Sequence, residues 1–150
     1  MSRVAPLTAS IAAMYQDALL AHHRAPHNRR VIESPTAVGA RKNPVCGDDI
    51  TVMVTREANV VRDVAFTGRS CSIATASASM MTDAVRGLAV VDALAVATAV
   101  DRMLHATNAN ADAVLPETLT PLLGVAPFPG RHGCAMLPWL ALREALAEKR

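Results

Sequence analysis

The sequence predicts an α+β fold, a small antiparallel sheet of about three strands with helices packed on one side. Three observations carry that prediction. Period-two alternation of apolar residues is confined to one stretch, from about residue 37 to residue 66. The two strongest strands in it are adjacent and separated only by the turn residues 57–59, the pattern of a hairpin. Helical spacing of apolar groups fills most of the remainder.

The elements follow in order. Residues 7–23, LTASIAAMYQDALLAHH, place Leu7, Ile11, Met14, Tyr15, Ala18 and Leu19 at helical spacing, and Pro26 ends the run. Residues 27–45 are polar and hold one short strand around Ala37 to Arg41. Ile50, Val52 and Val54 alternate with polar positions in a second strand, and Val60, Val61, Val64 and Phe66 form a third that ends at Gly68. Residues 71–87 read as a helix of small side chains closed by Gly87, which lets another backbone approach closely. Val90 to His105 is a helix apolar nearly all round, so it is buried or meets a partner. Residues 106–113 are a loop, and Pro116 opens a short helix over 116–125. The last helix runs from about Ala135 to Glu148, with Leu137, Leu140, Leu142 and Leu146 on it and Pro138 in its first turn.

The bulk numbers bound the function. At 150 residues the chain forms one domain, residues 1–150, that buries roughly 70% of its unfolded surface and needs no staples. The net charge of +2 is small and scattered, which argues against a nucleic-acid surface. The longest apolar run, residues 87–100, is broken by Asp92 and too short for a membrane span. No secretory signal pattern opens the chain, and three cysteines cannot all pair with one another. The expectation is a cytoplasmic protein in a reducing compartment, where spaced cysteines point to metal binding or catalysis.

The cysteines are placed accordingly. Cys46 lies in the turn NPVCGDDI, between Pro44 and Gly47, just before a strand. Cys71 and Cys134 each follow a glycine-containing loop at the start of a helix. Helix N-termini carry partial positive charge, so both thiols are expected to ionise readily. Three cysteines fall one short of a tetrahedral zinc set. Asp48, two residues past Cys46, completes it, with His132 as the rival fourth ligand. Three thiolates and a carboxylate around Zn2+ leave a net negative charge, and Arg131 is the nearest cation in sequence to Cys134. His22, His23, His27 and His105 are expected to be surface or hydrogen-bonded residues. No C-x-x-C occurs, so spacing alone supports only a possible metal site, with a structural zinc module and a Cys/His hydrolase also open.

Three blocks go further. NPVCGDDI, FTGRSCSIATASASMMTD and RHGCAMLPW, with the opening MYQDALLAHHRAPHNRR, resemble the signature segments of the IscU/NifU/SufU family of iron-sulfur assembly proteins. The longer stretch between the second and third cysteines, roughly residues 105–127, and Arg131 three residues before the last cysteine resemble the SufU branch. The chaperone-recognition segment of the IscU branch has no counterpart in PFPGRHG, and Gly133 stands where the family usually has a charged residue.

The resemblance implies an IscU/SufU-like fold, with Cys46, Asp48, Cys71 and Cys134 as zinc ligands. It implies a zinc-dependent sulfurtransferase that accepts persulfide sulfur from a PLP-dependent cysteine desulfurase of the SufS type. That partner inserts a histidine into the zinc shell and frees Cys46 as acceptor, helped by Arg131, with Cys134 the second candidate. Downstream SUF cluster-assembly proteins are then the recipients, with no nucleic acid or membrane partner. The alternative is a scaffold that builds an iron-sulfur cluster, or holds iron, on the same ligands.

Overall fold

The computed structural model describes residues 2–3, 9–105 and 114–147. The expected loop at 106–113 and the end of the last helix at Glu148 lie outside them. The order is β1 (Ser2–Arg3), α1 (Ala9–Arg24), β2 (Ala37–Asn43), β3 (Asp48–Glu57), β4 (Val60–Arg69), α2 (Ser72–Val85), α3 (Val90–His105), β5 (Val114–Leu115), two 3-10 helices (Glu117–Val125 and Pro129–Arg131) and α4 (His132–Leu146). Strands β2, β3 and β4 form one antiparallel sheet in that order, and β1 pairs with β5 in a separate two-residue ladder that the sequence did not signal.

The period-two pattern sets the sheet's buried face. Ile50, Val52 and Val54 point to one side, and opposite them on β4 stand Gly68, Phe66 and Val64. All three β3 residues are fully buried, and Phe66 nearly so. On β2 the register places Gly39 opposite Val52. A Cβ at Gly39 would sit 2.0 Å from the Ala141 carbonyl oxygen, so glycine here is what lets the α4 backbone lie directly on β2. The edge of β4 is not bare. Arg29 bridges Phe66, and Val61 exchanges backbone hydrogen bonds with Gly87 and Leu88, which covers a strand edge that would otherwise template pairing with other chains.

Helix α2 is the centre of the helical layer. Ten of its residues are buried, most of them Ala, Ser and Thr, and it packs against both α1 and α4. Small side chains permit that close approach, and the polar ones find partners. Ser77, fully buried, donates to the Ala135 carbonyl (2.6 Å) and accepts from the Trp139 indole N–H (3.1 Å), which pins α2 to α4.

Two expectations change, and a third is met in part. The segment after Pro116 is a 3-10 helix, Glu117–Val125, with Pro121 inside it; proline lacks the N–H that an α-helical ladder would use there. Helix α4 begins at His132, three residues earlier than read from the leucine spacing, so Cys134 lies within its first turn. Helix α3 is not buried all round: Val90, Ala93, Ala97, Val100, Met103 and Leu104 are buried while Val91 is exposed. No helix among the described residues is long and apolar enough to cross a membrane.

Candidate metal centre

Three chain segments converge at one end of the sheet. The first is the β2–β3 turn. Asn43 and Asp48 are the last register pair, and residues 44–47 close the hairpin. The Asn43 side chain accepts from the Val45 N–H (3.1 Å), its carbonyl accepts from Gly47 N–H (2.8 Å), and Gly47 takes φ +72°. These are the demands of a tight turn, and Pro44, Asn43 and Gly47 are the residue types that meet them. The turn leaves Cys46 exposed and turns Asp48, the first residue of β3, inward to near-complete burial.

The second segment is the start of α2. Cys71 is its N-cap, and its sulfur accepts from the Ala74 N–H at 3.4 Å. The Cys71 N–H donates to Asp48 Oδ1 at 2.9 Å, a carboxylate at a helix N-terminus where the peptide dipoles favour negative charge. The third is the first turn of α4, which brings Cys134 in fully buried.

The Cys46 and Cys134 sulfurs are 3.3 Å apart, and a sulfur from each and an Asp48 oxygen all lie within 4.8 Å of one another. Cys71 borders this group through its hydrogen bond to Asp48 and its effect on the Cys134 thiol. The electrostatics correct one expectation. Cys134 does not ionise readily despite its helix-terminal place: burial pushes its thiol far up, and the neighbouring Cys46 and Cys71 thiols add to the shift. The other Asp48 oxygen, Oδ2, is buried with no hydrogen-bond partner among the described residues. An unpaired buried carboxylate oxygen is costly on its own. A cation would pair it and stabilise the Cys134 thiolate together, so these donors fit a thiophilic divalent ion.

The other sequence candidates fall as follows. Arg131 is exposed at the N-cap of α4, and its guanidinium pairs with none of the described residues. The His132 Nε2 is hydrogen-bonded to the Ala126 carbonyl at 2.8 Å and its ring meets His105 edge to face, which holds one ring nitrogen in the preceding loop. Asn43 was not singled out from the sequence. Its amide lies 3.7 Å from the Cys46 sulfur, and a Cβ at Gly133 would come within 3.3 Å of that same amide nitrogen. Gly133 thus leaves room for Asn43 beside the thiol, a relation between residues 90 positions apart that no local pattern signals.

The comparisons with known proteins show the family and the fold. A family profile described as "NifU-like N terminal domain" matches residues 14–147. The chain belongs to that family. Among curated members, the iron-sulfur cluster assembly scaffold protein IscU of Streptococcus pyogenes is 39% identical over 133 residues, 89% of this chain and 82% of its own length. The zinc-dependent sulfurtransferase SufU of Bacillus subtilis is 33% identical over 141 residues, 94% of this chain and 95% of its own. The crystal structure described as a putative iron-sulfur cluster assembly scaffold protein for the SUF system, from Fervidobacterium islandicum, superposes with a TM-score of 0.78 at 26% identity, covering 90% of this chain and 98% of that one. The NifU-like fold expected from the signature blocks is therefore the fold of this chain.

Proposed function

We propose that this NifU-like domain works in iron-sulfur cluster assembly as a zinc-dependent sulfur acceptor, with Cys46, Asp48, Cys71 and Cys134 as the zinc ligands. The observation that carries the reading is the buried, unpartnered Asp48 Oδ2 beside the Cys46 and Cys134 thiols. It supports a donor set built around a cation over a packing cluster. The Bacillus subtilis relative, a zinc-dependent sulfurtransferase, and the Streptococcus pyogenes relative, a cluster assembly scaffold, supply the chemical context.

When bound, zinc would keep the thiols deprotonated at neutral pH. The chain's own residues divide the remaining work. Cys46 is the exposed thiol, on a turn that can meet a partner, and we assign it as acceptor. Its thiolate attacks the outer sulfur of a partner's cysteine persulfide; the new bond gives a Cys46 persulfide, and the partner's cysteine leaves as thiolate. Cys134, fully buried, is suited to holding the site rather than to meeting a donor. Asp48 orders the site by accepting from the Cys71 N–H. Arg131, exposed where the chain enters α4, offers positive charge to the thiolate-rich end. The donor that fits is a PLP-dependent cysteine desulfurase of the SufS type.

The test is desulfurase turnover with the zinc-loaded and metal-stripped forms of this protein. Stimulation by the zinc form, lost in Cys46→Ala, is the expected result. Asp48→Ala is expected to weaken zinc binding by more than about tenfold in a chelator competition. Absence of stimulation by either form overturns the transfer reading. The second reading, a scaffold for a cluster on the same three thiols, draws on the 39% identity to the Streptococcus pyogenes scaffold protein. It predicts instead a reconstituted cluster that passes to an apo-ferredoxin.

A further inference from the structure

The opposite end of α2 carries a second group of side chains that could hold a metal ion. His22, at the end of α1, His27, in the loop after it, and Asp83, in the last turn of α2, each offer a ligand atom within 4.8 Å of the others. The grouping is anchored. Buried Ser79 bonds both histidine segments: its hydroxyl oxygen lies 2.7 Å from His22 Nδ1 and accepts the His27 backbone N–H at 2.7 Å. The His22 and His27 ring centroids are 4.8 Å apart, and His27 Nδ1 lies 2.5 Å from Asp83 Oδ2. Asn28, next in the chain, donates to Thr82 at 3.0 Å and fixes the loop against α2.

We propose that His22, His27 and Asp83 form a second binding site for a first-row divalent transition ion, separate from the thiols. In the tautomer with its proton on Nδ1, His22 donates to Ser79 and turns the Nε2 lone pair outward, the arrangement in which a hydrogen bond at one ring nitrogen orients the other as ligand. A tetrahedral ion with bonds of about 2.0–2.1 Å holds its donors about 3.3 Å apart, so side-chain adjustments of about 1.5 Å or less close the set. Two imidazoles and a carboxylate suit Zn2+, Co2+, Ni2+ or Fe2+, whereas the thiol end selects softer partners. The set leaves a coordination position open. His22 and Asp83 also line a cavity of about 370 Å³ between α1, α2 and the Glu117–Val125 3-10 helix, together with Tyr15, Met80, Glu117 and Thr120. Water or a small anionic ligand can reach the ion from that cavity. Cys71 and Asp83 are twelve residues apart on α2, so the two sites stand about 18 Å apart along the helix axis.

Cobalt tests the assignment on the full chain. The protein is first given one equivalent of Zn2+ and then titrated with Co2+, with binding followed by calorimetry and the visible spectrum. One further equivalent is expected, with the ligand-field bands of nitrogen and oxygen donors and no thiolate-to-cobalt charge transfer. Asp83→Asn, nearly isosteric, and His27→Ala are each expected to weaken that second equivalent at least tenfold while the zinc-loaded protein keeps its circular dichroism and thermal midpoint. No second equivalent overturns the proposal, as does a second equivalent that neither substitution weakens. A charge-transfer band that Asp83→Asn and His27→Ala both leave unchanged overturns it too, since the second equivalent then sits on the thiols with no ion at the histidine end. That last outcome also reports separately on the zinc assignment, because cobalt reaches the thiols only where zinc does not hold them.

Discussion

The two ends of α2 solve the same problem, gathering side chains able to ligate a metal, by different means. At the N-terminal end the backbone does the placing. A four-residue turn, a helix cap and a first helical turn deliver Cys46, Cys71 and Cys134, and the central carboxylate keeps one oxygen buried and unpaired. At the C-terminal end side chains do the placing. His22, His27 and Asp83 are at least partly exposed and held by Ser79 and by each other. The first end is costly when empty. The second is satisfied as it stands. On the two proposals above, that difference separates a site whose fold anticipates a charge from one that would accept an ion as an addition.

Perturbations should therefore fall unequally on the two ends. The largest effect is expected from Gly39→Ala. The new methyl would meet the Ala141 carbonyl at 2.0 Å, so α4 must lift from β2 and carry Cys134 with it. A loss of about 3 kcal/mol in urea unfolding is expected, with zinc affinity falling in parallel. A stable, zinc-tight Gly39→Ala variant would show that α4 can slide without disturbing the thiols.

Ser77→Ala comes next. It leaves the Trp139 indole N–H and the Ala135 carbonyl without their buried partner, at a cost of about 1–3 kcal/mol in thermal or urea unfolding. Because Ala135 follows Cys134, the thiol end should loosen more than the histidine end, which hydrogen exchange of the two helix termini can read.

The smallest effect belongs to Asp63. Burial pushes its carboxyl up, but hydrogen bonds from Arg30 and Arg86, each at 2.7 Å, outweigh that and hold it below the usual carboxylate range. The folded state thus favours the ionised form. The resulting stability is present above the ordinary carboxylate value and is lost as pH falls through the lowered one. Asp63→Asn should cost no more than about 1 kcal/mol at neutral pH, because the group is partly solvated, and should flatten that acid-side decline. Arg86 follows directly on α2, so the change should be felt at the histidine end and leave zinc binding unaltered.

Much of this was legible in the chain. The alternation of Ile50, Val52 and Val54 fixed a strand and its buried face, because side-chain direction has period two and water penalises the wrong choice. The hairpin turn at 57–59 and the small-residue helix after Cys71 were equally local signals. So was the demand of Pro44 and Gly47 for a turn that exposes Cys46. The signature blocks named the four candidate ligands. What the blocks could not express was the cost of burial: Cys134 was expected to ionise readily, whereas burial and the neighbouring thiols push its thiol up.

Sequence alone determined the main helices, the three-stranded sheet and its buried face, and the residue types available for chemistry, since propensity, periodicity and turn stereochemistry act over a few positions. Tertiary structure decided which of those residues meet. Only packing brings Cys46 within 3.3 Å of Cys134, 88 positions away, leaves Asp48 Oδ2 without a partner, and draws two histidines of α1 and its loop to Asp83. Those relations depend on how far one backbone can approach another, as at Gly39 against Ala141, and that distance is a property of the assembled layers rather than of any stretch of the chain.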